Sequence, residues 1–214
     1  MNTPTKVILV DDHAVVRAGF RLLLSTCEKI EVIAEAERGE QACQLYLEKQ
    51  PDVMVLDLSM PGIGGLEAIR RICSRNANAK ILVFSVHDEM VYVDRATNAG
   101  AKGFITKNSA PAILVEAIQK IAAGEMYIEQ GLTKNHPNHS PEVDYQAVIS
   151  SFSSREFDVF LLLAKGFTAH KIADELCLGY KTVANYGTQI KNKLNVASVA
   201  ELTRIALVLR LLQS

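Results

Sequence analysis

The stretch from Pro51 to Gly65, Pro-Asp-Val-Met-Val-Leu-Asp-Leu-Ser-Met-Pro-Gly-Ile-Gly-Gly, decides the fold of this 214-residue chain. Val53 to Leu56 form a continuous apolar run between turn-forming residues, which is typical of a strand buried on both faces of a parallel sheet. Asp57 ends the run, and the proline and glycines that follow break the regular structure. Because ligands bind at the carboxyl ends of the strands in open α/β sheets, we expect Asp57 to face a site.

Two other strand patterns also end in polar residues. The first strand pattern is followed directly by Asp11 and Asp12, and a later one by Ser85. The carboxyl ends of parallel strands meet at one edge of a sheet, so these side chains are expected to lie near Asp57.

Strand and helix patterns alternate through the first part of the chain. Strands are expected near residues 7–10, 31–34, 53–56, 81–84 and 103–105. The last helix of the series begins at Pro111, a residue favoured in the first turn, and keeps apolar side chains at helical spacing to Ala122. This alternation predicts an α/β fold with a doubly wound, five-stranded parallel sheet.

After a polar interval, the rest of the chain shows helix patterns and no strand patterns. Residues 131–141 are polar, aperiodic and contain two prolines, which predicts a linker over residues 125–149. Its His136 and His139 have no third ligand nearby, which argues against a metal site. The remaining residues predict a small all-α domain of four helices, which start near residues 153, 168, 182 and 198. The predicted domains are therefore 1–124 and 150–214, with 125–149 as the linker.

Composition excludes several classes of protein. With 49% hydrophobic and 22% charged residues, the chain is typical of soluble globular proteins. No apolar run reaches the length of a membrane span and no signal peptide is evident, so a cytoplasmic protein without membrane partners is expected. The four cysteines form no Cys-x-x-Cys pair, which argues against a disulfide framework or a zinc site.

Charge is nearly balanced in both halves. Residues 1–140 contain fifteen Lys and Arg against seventeen Asp and Glu, and residues 141–214 contain eight against seven. Nucleic-acid-binding domains usually carry a larger basic excess, so a prediction of DNA binding must rest on motifs here.

The motifs carry a resemblance that covers nearly the whole chain. Those that resemble the receiver domain of two-component response regulators are Val10-Asp11-Asp12-His13, Asp57 with Met60-Pro61-Gly62, Ser85 and Lys107. Those that resemble the LuxR-type helix-turn-helix domain of the NarL/FixJ family are Phe152-Ser-Ser-Arg-Glu156, Ile172-Ala173 and Lys181-Thr182-Val183. The amino-terminal half is similar to regulators of the GacA/UvrY kind.

The resemblance implies a flavodoxin-like receiver that accepts a phosphoryl group from a sensor histidine kinase. Asp57 would be the phosphoacceptor, Lys107 a fixed positive charge and Ser85 a hydroxyl donor to the phosphoryl oxygens. Mg²⁺, which prefers oxygen ligands, would be held by Asp11, Asp12, Asp57 and the backbone carbonyl of Ser59. Ser85 and Phe104 would be the switch residues, and Val86 and His87 would tune the phosphoryl lifetime.

The resemblance also implies that the third carboxyl-terminal helix reads double-stranded DNA. The expected contacts are Lys181, Thr182, Ala184, Asn185, Thr188, Gln189 and Lys191, with Lys193 as a further phosphate ligand. This face is less basic than in the family, so binding is expected to depend on a homodimer formed on phosphorylation. Val199 and Leu202 of the last helix, or the fourth and fifth receiver helices, are the candidate dimer surfaces.

Two rival functions follow from the same residues. An acidic site at this sheet edge could belong to a Mg²⁺ phosphohydrolase, but such enzymes place an Asp where Ser59 stands, so a non-enzymatic protein is predicted. The neutral recognition helix leaves a second alternative, a receiver-controlled module that binds protein or RNA.

Overall fold

The apolar run before Asp57 forms the third strand of a parallel sheet in the computed structural model, which describes residues 3–132 and 144–212. The chain divides into two units, Met1–Lys134 and Asn135–Ser214. The strands of the first unit are β1 (Thr5–Val10), β2 (Ile30–Ala36), β3 (Val53–Leu56), β4 (Ile81–Ser85), β5 (Gly103–Thr106) and β6 (Tyr127–Ile128). Their spatial order is β2-β1-β3-β4-β5-β6.

Five helices connect the strands of this sheet. They are α1 (Ala14–Ser25), α2 (Gly39–Lys49), α3 (Gly64–Arg75), α4 (Met90–Asn98) and α5 (Pro111–Ala122). The prediction of a parallel α/β sheet with five strands is confirmed, and the structure adds the short edge strand β6. With only two residues, β6 is too short to show a strand pattern in the sequence.

The sheet is buried because its strands are apolar on both faces. Every residue of β3 and β4 is buried, as a strand with helices on both sides requires. Alternate residues of β1, β3 and β4 pack in one core cluster with Leu114, Ile118 and Ile121 of α5. The strand ends are therefore held at fixed positions along one edge of the sheet.

The second unit consists of helices in the residues that the structure describes. They are α6 (Tyr145–Ser150), α7 (Ser154–Ala164), α8 (Ala169–Glu175), α9 (Tyr180–Leu194) and α10 (Val199–Val208). The four predicted helices are present, and α6 precedes them. Every described helix of the chain is too short or too polar to serve as a membrane span.

The recognition helix begins earlier than predicted. We expected its start near Thr182, but α9 begins at Tyr180, with Gly179 as an extended N-cap residue. The Gly179 carbonyl accepts hydrogen bonds from the N–H groups of Thr182 and Val183, which places Thr182 within the first turn. A glycine cap has no side-chain signature, so the pattern alone placed the boundary too late.

Two regular elements fall inside the segment predicted as linker. The strand β6 lies at its start, and α6 begins near its end. Residues 133–143, with His136 and His139, lie outside the described residues. The domain boundaries stay a prediction.

Close backbone packing fixes the loop after Asp57. A Cβ atom added to Gly65 would lie 2.0 Å from the carbonyl oxygen of Asp57 and 2.7 Å from the Cα of Leu58. On the other side of the loop, the Glu40 carboxylate accepts a hydrogen bond of 3.0 Å from the Ile63 N–H. The loop therefore has room only for glycine where α3 meets the phosphoacceptor candidate.

Replacement of Gly65 by Ala tests this close approach. The added methyl group must displace backbone, so we expect Gly65→Ala to lower the free energy of unfolding by about 1–3 kcal/mol or more. Gly19→Ala is the matched control: nothing lies within 4 Å of its Cβ position in α1, and it should raise stability by roughly 0.5–1 kcal/mol. Urea unfolding measures both, and a Gly65→Ala protein as stable as the wild type would contradict the packing.

Glu156 links two helices of the second unit. Its carboxylate accepts a hydrogen bond of 2.8 Å from the Ser153 N–H in a capping box and lies 2.6 Å from the Lys193 ammonium of α9. Burial alone would raise the pKa of Glu156, but the hydrogen bonds from Lys193 and Ser153 outweigh it and hold this pKa below its ordinary value. The ionised carboxylate therefore stabilises the contact between α7 and α9.

Removal of this charge should cost stability in a pH-dependent way. We expect Glu156→Gln to lower the free energy of unfolding by roughly 1–3 kcal/mol at neutral pH. Because the folded pKa is depressed, the wild-type advantage is complete above the unfolded value of 4.5 and disappears as pH falls through the folded pKa. Urea unfolding, with amide exchange in α7 as the local readout, measures it. The exposed Glu175→Gln is the control, and an equal loss at all pH values would refute the prediction.

Candidate functional site

Three carboxylates meet at the carboxyl edge of the sheet. Asp11 and Asp12 follow β1, and Asp57 follows the neighbouring β3, whose Leu56 pairs with Val10. Side-chain ligand atoms of Asp11, Asp12, Asp57 and the adjacent His13 all lie within 4.8 Å of one another. The structure therefore brings together the side chains that the strand-end pattern predicted as a cluster.

Lys107 reaches into this cluster from the end of β5. Its ammonium lies 2.7 Å from Asp57 Oδ2 and 2.5 Å from Asp11 Oδ2. The Asp57 residue is only 2% exposed and Asp11 only 5%, so solvent screens these contacts little. Three carboxylates and one ammonium leave the cluster with an excess of negative charge.

Burial and the ion pair act in opposite directions on the titration of Asp57. Burial raises the pKa of Asp57 above its ordinary value, although Lys107 and the Ser59 N–H pull it down. Burial alone would lower the pKa of Lys107, but its hydrogen bonds to Asp11 and Asp57 outweigh that effect and raise it. Lys107 thus keeps its positive charge beside the carboxylates.

Ser85 and Phe104 lie on the neighbouring strands β4 and β5. The Ser85 carbonyl accepts a hydrogen bond of 2.7 Å from the Lys107 N–H, and its hydroxyl accepts one of 3.3 Å from the His87 N–H. Phe104 is fully buried in β5, between Val83 of β4 and Ile128 of β6. Ser85 is thus next to the site, whereas Phe104 points into the packed interior.

Ser59 and His87 touch across the two loops beside Asp57. The Ser59 N–H donates to Asp57 Oδ1 at 3.2 Å, and the Ser59 hydroxyl lies 3.1 Å from His87 Nε2. The His87 ring stacks on Tyr92 at a centroid distance of 3.9 Å. His87 is therefore one residue, Ser59, away from the Asp57 carboxylate, and its effect on the phosphoryl lifetime stays a prediction.

The sequence analysis missed Arg17, a residue of α1 that binds the backbone of Asp11. Its guanidinium donates to the Asp11 carbonyl at 2.6 Å and to Glu37 at 2.7 Å, and its side chain is largely buried. A signal for it exists in the sequence, because Arg17 occupies the same helix face as Phe20 and Leu24. A cation on an apolar face requires a buried partner.

A second candidate site is the outer face of α9. Val183, Ile190 and Leu194 are buried on its inner side. The predicted contact residues are Lys181, Thr182, Ala184, Asn185, Thr188, Gln189 and Lys191. All of them are exposed except Lys191, which is partly exposed. The structure therefore presents the predicted residues on an accessible helix face.

Gly187 lies outside this face, and Lys193 differs from the expectation for it. A Cβ added to Gly187 would make an ordinary contact of 3.5 Å with Leu163 of α7, so this glycine is on the inner side of the helix. The Lys193 ammonium is bound to Glu156, so a phosphate contact there would compete with a partly buried ion pair. The outer face keeps Lys181 and Lys191 as its cations.

Comparisons with known protein families agree with both sites. Residues 7–119 match the family described as "Response regulator receiver domain". Residues 150–206 match the family described as "Bacterial regulatory proteins, luxR family". The cluster around Asp57 and the whole of α9 lie within these matched ranges.

Similar proteins extend the match along the chain. The transcriptional activator protein ExaE of Pseudomonas putida is 40% identical, over 94% of this chain and 95% of ExaE. The response regulator UvrY of Escherichia coli K12 is 37% identical, over 94% of this chain and 93% of UvrY. A crystal structure of a LuxR-family two-component response regulator from Aurantimonas sp. SI85-9A1 is 40% identical, with a TM-score of 0.60, and covers 62% of this chain and 94% of that one.

Proposed function

This chain belongs to the response regulators that join a receiver domain to a LuxR-type DNA-binding domain, and on that basis we propose how its two sites work together. It is a response regulator that acts as a transcription factor. Asp57 accepts a phosphoryl group from a sensor histidine kinase, and this modification controls dimerisation and DNA binding. The observation that carries the proposal is the Lys107 ammonium shared between the buried carboxylates of Asp57 and Asp11.

Asp57 is the nucleophile of the transfer. An oxygen of its carboxylate attacks the phosphorus atom, and the new O–P bond replaces the N–P bond to the kinase histidine, which leaves. Lys107 supplies positive charge where the phosphoryl oxygens gather, and the Ser85 hydroxyl donates to one of them. Two contacts support these roles: the Lys107 ammonium lies 2.7 Å from Asp57 Oδ2, and the Lys107 N–H donates to the Ser85 carbonyl.

The donor set fits Mg²⁺. Three carboxylates supply the oxygen ligands that this ion prefers, and their charge exceeds that of the single ammonium. Asp11, Asp12, Asp57 and the Ser59 carbonyl would hold the ion, which when bound neutralises charge on the phosphoryl oxygens. The imidazole of His13 is less suited to the ion, and it lies 2.9 Å from Asp12 Oδ1 and 3.2 Å from Asp11 Oδ1.

The outer face of α9 enters the major groove. Asn185 and Gln189 carry amides that match adenine edges, and Lys181 and Lys191 match phosphates. With few cations, one copy binds weakly, and a dimer raises affinity because the second contact becomes intramolecular.

Of the two residues of the last helix that we expected to pair, Val199 is accessible and Leu202 is not. Leu202 is fully buried in the second unit and is unavailable as a contact. Val199, Leu207 and Val208 of α10 are exposed by 42%, 50% and 54%. Val199 and Leu207 lie on one side of α10, and we propose this side for pairing.

Substitution of the phosphoacceptor tests the proposal. Beryllofluoride with Mg²⁺ mimics the phosphoryl group, so it should convert the wild type to a dimer with tighter DNA binding and leave Asp57→Asn unchanged. Light scattering and binding to mixed-sequence DNA at low salt are the measurements. Asp52→Asn, an exposed carboxylate outside the site, is the control and should respond fully. A complete response of Asp57→Asn would refute the assignment, and a dimer without DNA binding would indicate a protein or RNA partner.

Lys191 provides a separate test of the DNA face. If it contacts a phosphate, Lys191→Ala should weaken binding by a similar factor on all sequences and reduce the slope of log K against log salt by about 1. Lys49→Ala removes an equal charge from α2 of the receiver and should leave the slope unchanged. An unaltered slope for Lys191→Ala would exclude the phosphate contact.

A further inference from the structure

Glu129 binds the loop that carries Lys107. It follows β6, and its Oε2 atom accepts a hydrogen bond of 2.8 Å from the Thr106 N–H and one of 2.6 Å from the Ser109 hydroxyl. Its own N–H donates to the Phe104 carbonyl at 3.0 Å. One glutamate therefore attaches by both backbone and side chain to the strand and turn around Lys107.

The turn itself is closed around Lys107. The Ser109 N–H donates to the Thr106 carbonyl at 3.1 Å, which makes residues 106–109 a β-turn with Lys107 as its second residue. The Thr106 and Ser109 hydroxyls lie 3.0 Å apart, so the Glu129 carboxylate, Ser109 and Thr106 form one network. Lys107 is held from one side by this turn and from the other by its bond to the Ser85 carbonyl.

Through Glu129, the turn around Lys107 is in contact with the segment that follows α5. Glu129 belongs to the exit segment, residues 125–132, which follows α5 and leads out of the receiver. Without the carboxylate, the Thr106 N–H would lose its acceptor at a residue only 9% exposed, and such an unpaired donor is costly. The backbone just before Lys107 thus depends on a side chain of the exit segment.

We propose that Glu129 is a positioning residue that holds the Lys107 ammonium between Asp11 and Asp57, and that it couples the exit segment to the phosphoacceptor site. The coupling rests on the function proposed above. A shift of the Lys107 backbone toward a phosphoryl group moves the turn that Glu129 binds. Because such coupling is reciprocal, displacement of the exit segment changes how Lys107 engages the phosphoryl group.

Two binding measurements with opposite expected signs test the proposal. Lys107 competes with a cation for Asp11 and Asp57, so a loosened Lys107 should raise Mg²⁺ affinity by about two- to fivefold in Glu129→Ala. The same variant should bind beryllofluoride at saturating Mg²⁺ about three- to tenfold more weakly, because Lys107 meets the fluorides less often. Glu129→Gln keeps one acceptor oxygen and should show smaller changes of the same signs. Titration calorimetry measures both affinities.

Matched variants separate positioning from general stability. Glu125→Gln alters an exposed glutamate of the same exit segment and should change neither affinity. In a Lys107→Ala background, Glu129→Ala should no longer change Mg²⁺ affinity, because the residue through which it acts is gone. Ser109→Ala removes one partner and should add little to Glu129→Ala.

The outcomes distinguish this inference from the proposed function. A wild type that binds no beryllofluoride, or an Asp57→Asn protein that binds it normally, overturns both. A responsive wild type with unchanged affinities in Glu129→Ala and Glu129→Gln overturns the role of Glu129 alone. Losses of both affinities that persist in the Lys107→Ala background would indicate a structural role only.

Discussion

The ion pair of Lys107 with two buried carboxylates is the interaction on which the receiver site depends. Asp11 and Asp57 stand at the ends of adjacent strands, where their charges would repel each other in a region with little solvent. One ammonium between them relieves that repulsion and leaves an excess of negative charge. The ion pair therefore stabilises the site in this structure.

Much of the surrounding structure holds this ion pair in place. Arg17 binds the backbone of Asp11, and the Ser85 carbonyl and the Glu129 carboxylate hold the chain on either side of Lys107. Gly65 allows α3 to approach the backbone of Asp57 closely. These contacts come from α1, β4, the exit segment and α3. The geometry of this one site therefore depends on the positions of several strands and helices of the receiver.

The DNA-binding domain differs from the receiver site, because the outer face of α9 carries few charges, with Lys181 and Lys191 as its cations. Lys193, one of the lysines of α9, is bound to Glu156, where it joins α9 to α7. Because the Lys193 ammonium stabilises this contact, it is less available to bind phosphates. If this face binds DNA as proposed, amide contacts and the pairing of two copies would supply most of the affinity.

The sequence alone determined the order of strands and helices, the strand-end acids and the outer face of α9, because these follow from the periods of local patterns and from short motifs. It placed Asp11, Asp12, Asp57, Ser85 and Lys107 at one sheet edge, and it missed the partners of that cluster. Tertiary structure decided the roles of Arg17 and Glu129, the presence of the strand β6 and the ion pair of Lys193 with Glu156. Each of these depends on contacts between different strands and helices. The place of Arg17 on an apolar helix face is visible in the sequence, but for the others a local pattern carries no signal.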